Sequence, residues 1–127
     1  AKENAKFNGV SVNFIKSNLF EKLNTKEKFD IIVSNPPYIK RDVIEELQEE
    51  VKKEPVFALD GGESGLDFYE NISKMATEYL NEGGILAYEI GFDQAEEVSK
   101  LMEFNRFKNI RVVKDLEQNN RVVIGNI

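Results

Sequence analysis

The 127 residues include no histidine, no cysteine and no tryptophan, and each absence removes a chemistry. Without histidine and cysteine the chain lacks the usual ligands of zinc and iron–sulfur centres, a thiol nucleophile, the Ser-His-Asp triad and an imidazole proton shuttle. Disulfides are impossible, and no metal-binding residues are expected. The apolar runs are a few residues long, far short of the roughly 20 that span a bilayer, and no charged-apolar-small leader opens the chain. The expectation is a cytoplasmic protein with no membrane contact. Positive charge is also in short supply: 17 Lys and Arg stand against 23 Asp and Glu, a net charge of −6. That balance argues against a domain that grips phosphate backbones by bulk charge, so no direct nucleic-acid partner is expected. What is present, 41% hydrophobic and 31% charged residues, is the composition of one ordinary globular domain with a single core.

Along the chain, Ala1-Lys2-Glu3-Asn4-Ala5-Lys6-Phe7 reads as a helix tail stopped by Gly9. Val12-Asn13-Phe14-Ile15 reads as a short strand, followed by a loop over residues 18–28 with a possible turn of helix. Phe29-Asp30-Ile31-Ile32-Val33-Ser34 is a compact β-branched run that fits a fully buried parallel strand. It must stop at Ser34 or Asn35, because the two prolines that follow lack the amide donors a ladder requires. Three segments open with Asp-x-x-Glu, at Asp42, Asp67 and Asp93, which predicts Asp as the N-cap of a helix each time. Their apolar faces are Ile44/Leu47/Val51, Tyr69/Ile72/Met75/Tyr79 and Ala95/Val98/Leu101/Met102. Gly84-Ile85-Leu86-Ala87-Tyr88-Glu89-Ile90 predicts a second buried strand closed by Gly91. Ile110-Arg111-Val112-Val113-Lys114 and Arg121-Val122-Val123-Ile124-Gly125 predict a terminal antiparallel hairpin. Strands alternating with helices indicate an α/β domain with a mainly parallel sheet.

Ligands of open α/β sheets bind beyond the carboxyl ends of the strands, and Asn35-Pro36-Pro37-Tyr38 occupies such an end. A rigid Pro-Pro turn, or a polyproline ligand for another domain, leaves unexplained why Asn immediately precedes the prolines at a core strand's end. Methyl transfer to a planar amine or amide nitrogen explains it, because that nitrogen's delocalised lone pair must be turned toward the donor methyl. The side-chain oxygen of Asn35 and the backbone carbonyl of Pro36 can accept the two N–H bonds and set that orientation. Tyr38 can stack on the planar group, and its ring face tolerates a sulfonium charge. No general base is needed, which suits a chain without histidine.

Ile32-Val33-Ser34-Asn35-Pro36-Pro37-Tyr38-Ile39 resembles the motif of amino-methylating, S-adenosylmethionine-dependent methyltransferases. Those enzymes include adenine-N6 DNA methyltransferases, some RNA methyltransferases and protein-glutamine methyltransferases. The segment Glu54-Pro55-Val56-Phe57-Ala58-Leu59-Asp60-Gly61-Gly62-Glu63-Ser64-Gly65-Leu66-Asp67-Phe68-Tyr69 closely resembles the stretch after the motif in the HemK/PrmC family. Members of that family methylate the glutamine of the Gly-Gly-Gln loop in peptide chain release factors. Tyr88-Glu89-Ile90-Gly91 with Gln94, and the ending Arg121-Val122-Val123-Ile124-Gly125, extend the likeness over nearly the whole chain. Gly61-Gly62 and Gly65 are in addition expected to provide positive φ before the next helix.

The resemblance implies a partial Rossmann-like class I methyltransferase fold, S-adenosylmethionine as methyl donor and a release factor as protein partner. It makes Asn35 the residue touching both cofactor and substrate amide, and Pro36, Pro37 and Tyr38 the rest of the glutamine pocket, with Asn35, Pro36 and Tyr38 catalytic. Asn18 and Leu19 fall where the family places residues beside the adenine. Most members have Asp at the position of Asn18; Asn keeps an oxygen for the adenine amino group, but its NH2 is a donor and the charge is lost. Ser64 likewise stands where Asp is common. The family's first two strands, its Gly-rich loop, the acidic residue for the ribose and its N-terminal helical domain find no match here. The chain is therefore expected to be the C-terminal part of a larger catalytic domain, with an incomplete cofactor site and no activity by itself. In the family's sheet the two strands without a match lie between residues 12–15 and 31–34. An apolar edge is thus expected, relieved by rearrangement of the first strand or by pairing with a second copy. Two other readings remain at this point: a nucleic-acid amino methyltransferase acting on adenine-N6 or guanine-N2, and a non-catalytic interaction domain of the same fold. The first should carry a basic surface, whereas Glu45, Glu46, Glu49 and Glu50 form an acidic run that reads as a solvated helix face.

Overall fold

A computed structural model describes residues 1–24, 26–46 and 55–127. Helix α1 (Lys2–Phe7) ends as expected at Gly9, whose φ is +66°. The amides of Gly9 and Val10 turn back to the carbonyls of Lys6 and Ala5, a reversal that favours glycine. Strand β1 (Phe29–Ser34), helix α2 (Asp67–Tyr79), strand β2 (Leu80–Glu89), helix α3 (Ala95–Phe104) and the hairpin β3 (Lys108–Lys114) and β4 (Asn120–Asn126) complete the fold. The sheet order is β1-β2-β4-β3. β1 pairs parallel to β2, reached through a crossover that contains α2, while β4 lies antiparallel to both β2 and β3. The α/β class and the closing hairpin are as expected. Among the described residues the sheet is mixed rather than mainly parallel, because the return strand of the hairpin inserts next to β2.

The core lies between the sheet and the two long helices. Strand side chains alternate in direction, so Leu86, Tyr88 and Val123 point into it and meet Tyr69, Ile72, Ala76, Val98 and Met102. Tyr69 and Tyr88 meet edge to face with centroids 5.1 Å apart. Their hydroxyls are satisfied inside: Tyr88 shares a 2.8 Å hydrogen bond with Ser73, and Tyr69 donates to the Glu89 carbonyl at 2.9 Å. Burial pushes both phenols well above their ordinary ionisation range, so both remain neutral donors.

Several local expectations are corrected. β1 is not fully buried: it is an edge strand, with Ile31 59% and Val33 75% exposed, and only Phe29 and Ile32 pack against the core. Residues 11–17 form no strand, and Val12, Phe14 and Ile15 stay exposed. A strand needs a neighbour for its amides and carbonyls, and none of the four strands pairs with this segment. The chain instead folds back at residues 19–23, where Phe20 stacks on Tyr79 of α2 at 4.8 Å and Leu19 and Leu23 cover the core edge.

The Asp N-caps are also not formed. α2 and α3 are preceded by Leu66 and Gln94, neither giving a side-chain cap bond. Asp67, Glu70, Glu96 and Glu97 lie in the first turns, where a negative charge still complements the helix dipole. Ser64 takes over part of the capping work, its hydroxyl accepting the Leu66 amide at 3.2 Å. At the first of the three segments the chain forms a 3-10 turn, Arg41–Glu46, with the tighter i to i+3 spacing. Leu47, Val51, Glu49 and Glu50, expected on the continuation of that helix, lie outside the described residues.

Candidate functional site

β1 delivers Asn35 to the carboxyl end of the sheet. Asn35 is exposed, Pro36 is buried beneath it, and Pro37 and Tyr38 are half-buried, Tyr38 packing against the core. The chain leaving this motif is pinned by a short ladder to the segment returning at residues 59–62. Ile39 donates to the Leu59 carbonyl at 3.0 Å, Gly61 to Ile39 at 2.8 Å, and Arg41 to Gly62 at 3.1 Å.

Two glycines let that returning segment come close. A Cβ on Gly61 would stand 2.8 Å from the Tyr38 Cα, and one on Gly65 would stand 2.6 Å from the Tyr38 carbonyl oxygen. Gly62 and Gly65 have the expected positive φ of +90° and +76°; Gly61 does not, and is needed for close approach instead.

A residue absent from the expected site joins this region. Gln94, 7% exposed, sends its side-chain NH2 to the carbonyls of Tyr38 at 3.0 Å and Gly65 at 3.2 Å. Its Oε1 accepts the Gly91 amide at 3.0 Å and faces the Tyr69 hydroxyl at 3.5 Å. Its only signal in the sequence is its place after the Tyr88-Glu89-Ile90-Gly91 run, since none of its partners lies on its own element.

Asn18 and Leu19 lie elsewhere. With Arg41, Phe57, Asp60, Asp67, Phe68 and Met75 among its walls, they line a cavity of about 580 Å³ that Asn35, Pro36, Pro37 and Tyr38 do not line. The six expected site residues therefore fall in two groups, joined through Arg41, which lines the cavity and follows the motif by three positions. The reason is the folding back of residues 19–23 onto α2. Within this cavity the NH2 of Asn18 donates to Glu21 at 2.6 Å, and among the described residues the Asn18 side-chain oxygen accepts no hydrogen bond. Arg41 and Asp60 pair at 3.0 Å. The Gly62 amide and the Arg41 guanidinium hold the Asp60 carboxyl below its ordinary range. Among the described residues no group of acidic side chains could hold a metal ion, and no helix is long and apolar enough to cross a membrane.

At the start of β4, just past the end of β2, Arg121 donates to the Ile90 carbonyl at 3.3 Å and grips Asp115 through Nε and Nη2 at 3.2 and 3.1 Å. Desolvation works against the Asp115 carboxylate, but the amides of Asn119 and Glu117 and the Arg121 guanidinium outweigh it and lower its pKa. A carboxylate lowered on folding adds stability above its unfolded pKa, and that stability is lost as pH falls through the folded value. Acidification through and below the ordinary carboxylate range is therefore expected to loosen the hairpin loop. Amide exchange at Glu117 and Asn119, followed against pH, checks this; Asp115→Asn should remove the pH dependence, and an unchanged acid limb in that variant would count against it.

Comparison with known proteins adds an independent line. Residues 2–122 match the family model described as Eco57I restriction-modification methylase. A release factor glutamine methyltransferase of Fusobacterium nucleatum is 53% identical over 116 residues, 91% of this chain and 33% of that protein. One of Geobacter sulfurreducens is 45% identical over 128 aligned positions, 100% of this chain and 45% of that protein. The chain thus spans less than half the length of these curated relatives. Among solved structures, a methyltransferase from Pyrococcus furiosus superposes with a TM-score of 0.70 at 19% identity, covering 98% of this chain and 54% of that one, which establishes likeness of fold alone. A release factor-specific protein-(glutamine-N5) methyltransferase from Alicyclobacillus acidocaldarius gives 0.55 at 29% identity, covering 85% of this chain and 54% of that one.

Proposed function

The chain belongs to the methylase family that the Eco57I model describes, and from that premise and its likeness to release factor glutamine methyltransferases we propose that it is the C-terminal part of a catalytic domain that methylates a glutamine amide of a peptide chain release factor. The target is the glutamine of the Gly-Gly-Gln motif, and the reaction takes place in the cytoplasm. The remainder of the cofactor site and of the partner-reading surface is supplied by sequence outside this chain, so the segment alone is inactive.

The observation that carries this reading is an exposed Asn35 at the carboxyl end of a strand, followed by a buried proline and by a segment pinned through backbone hydrogen bonds to residues 59–62. The donor, S-adenosylmethionine, supplies an electrophilic methyl group. The protein's own part is alignment: the Asn35 oxygen and the Pro36 carbonyl accept the two N–H bonds of the glutamine amide, turning the nitrogen lone pair to the methyl, and Tyr38 stacks on the amide plane. No proton need leave before attack. Asn18 and Leu19 serve the adenine, and the fit of Asn18 is better than its identity suggests. One of its two N–H donors is taken by Glu21, and its oxygen can accept from the adenine amino group with a carboxylate close behind it.

The matching family, that of a restriction-modification methylase, favours a second reading, methylation of an amino group on a nucleic-acid base. Against it stand the net charge of −6 and the names of the curated relatives, at 40–53% identity. The deciding experiment supplies methyl-labelled S-adenosylmethionine to the complete protein, extended beyond this chain, with a release factor or with duplex DNA, and maps the label by mass spectrometry. Label on a single release-factor glutamine amide is expected. Label on a DNA base would leave the Asn35 alignment standing and overturn the substrate.

A further inference from the structure

We infer that Gln94 is a positioning residue for the amide methylation: by clamping the Tyr38 carbonyl it fixes the direction in which the loop of residues 35–38 presents its acceptors. The inference rests on the functional reading above and extends it to a residue outside the motif.

The need for such a clamp follows from the loop's composition. Pro36 and Pro37 have no N–H, so the middle of the loop cannot be tied down by donors of its own. Its start is held where Ser34 pairs with Tyr88 in the sheet. Its end is held through an acceptor, the Tyr38 carbonyl, and the side chain bonded to that acceptor is Gln94 at 3.0 Å. Loss of this bond would leave a part-buried carbonyl without its side-chain donor beside the residues that face the substrate.

The chemistry of the Gln94 amide makes the clamp directional. Both N–H groups point at carbonyls, those of Tyr38 and Gly65, and the oxygen accepts the Gly91 amide at 3.0 Å. A flipped amide would set its oxygen against two carbonyl oxygens, so one orientation is selected. Three chain segments far apart in sequence, the motif, the glycine loop and the end of β2, are therefore joined at one buried group. Two glycines are fitted around it: a Cβ on Gly65 would stand 3.0 Å from Nε2, and a Cβ on Gly91 would stand 2.9 Å from Oε1. Packing alone would be served by any side chain of this length, whereas the pair of carbonyls at one end requires a donor.

Two substitutions separate these roles. Gln94→Glu keeps the oxygen that accepts from Gly91 and loses the donor to Tyr38 and Gly65; Gln94→Met keeps the length and loses both. In the complete protein, assayed with a release factor and S-adenosylmethionine, both are expected to lower kcat about a hundredfold, the cost of a displacement near 1 Å at a reacting centre. KM for the donor should stay within about twofold, since the bonds lost do not line the Asn18 cavity. Amide exchange gives a second readout that needs no activity: both variants should lose protection at Ile39 and Gly61, and only Gln94→Met should also lose it at Gly91. Folded variants with wild-type kcat, or with unchanged protection at Ile39 and Gly61, would overturn the inference. So would failure of both variants to fold, which would make Gln94 a residue of stability alone. A wild-type protein that methylates no release factor would instead defeat the functional reading, while the exchange pattern would still decide whether Gln94 clamps the loop.

Discussion

Asn35→Ala is expected to abolish methyl transfer, with a fall in kcat of at least about a hundredfold, and to leave the chain folded. The side chain is exposed, so its truncation opens no cavity and unpairs no buried group, and the thermal midpoint should move by no more than a surface substitution does. What is lost is one of the two acceptors that orient the amide nitrogen. The remaining acceptor, the Pro36 carbonyl, fixes one N–H bond and leaves rotation about it free, so the lone pair spends little time facing the methyl donor. Calorimetric titration of the variant with S-adenosylmethionine separates the two ways of failing: retained binding with lost turnover means lost alignment, and lost binding means that Asn35 mainly holds the donor. A variant with unchanged turnover would remove Asn35 from the mechanism.

Gly65→Ala is expected to cost a large part of the stability, about 3 kcal/mol or more. Two penalties act together. At φ +76° an L side chain costs about 1–2 kcal/mol by itself. The added Cβ would also lie 2.6 Å from the Tyr38 carbonyl oxygen and 3.0 Å from the Gln94 amide, and a backbone oxygen held by Gln94 cannot yield as the tip of a flexible side chain can. Gly9→Ala supplies the control, since Gly9 has a similar φ of +66° with nothing within 4 Å of the added atom. Urea unfolding of the two variants should differ by the cost of the overlap alone. Equal losses would mean that the motif loop shifts aside without penalty, and that it is held less tightly than its hydrogen bonds indicate.

The parts of this fold that were legible in the sequence are those decided by neighbours along the chain. The β-branched run at residues 29–34 ends where prolines forbid a ladder, Gly9 stops a helix because of its own φ, and the hairpin follows from two alternating runs around a polar turn. The Asn35 loop was legible for the same reason, its position and chemistry both lying within eight consecutive residues. What was not legible depended on partners distant in sequence. Val12, Phe14 and Ile15 have strand-forming side chains but find no strand to pair with. Ile31 and Val33 look like core residues, yet the helices cover only the opposite face of the sheet at that edge. Asp67 and Asp93 have the composition of helix caps, but Ser64 and Gln94 occupy the turns where caps would act. Gln94 itself carries no local pattern: its role appears only when residues 38, 65, 69 and 91 meet around it.

The arrangement of the sheet also sets an order of assembly. Lys114 and Asn120 pair across five intervening residues, whereas Phe29 and Leu80 pair across fifty. Closing the longer span costs about 2 kcal/mol more in chain entropy, a cost met before any contact of β1 with β2 is gained. The hairpin and α3 can therefore form as a local nucleus, and β1, which carries the Asn35 loop, docks last onto an edge already built. Substitutions in the hairpin should slow folding, and those in β1 should mainly speed unfolding. The strand that holds the reacting groups is then also the one whose departure begins the loss of the native state.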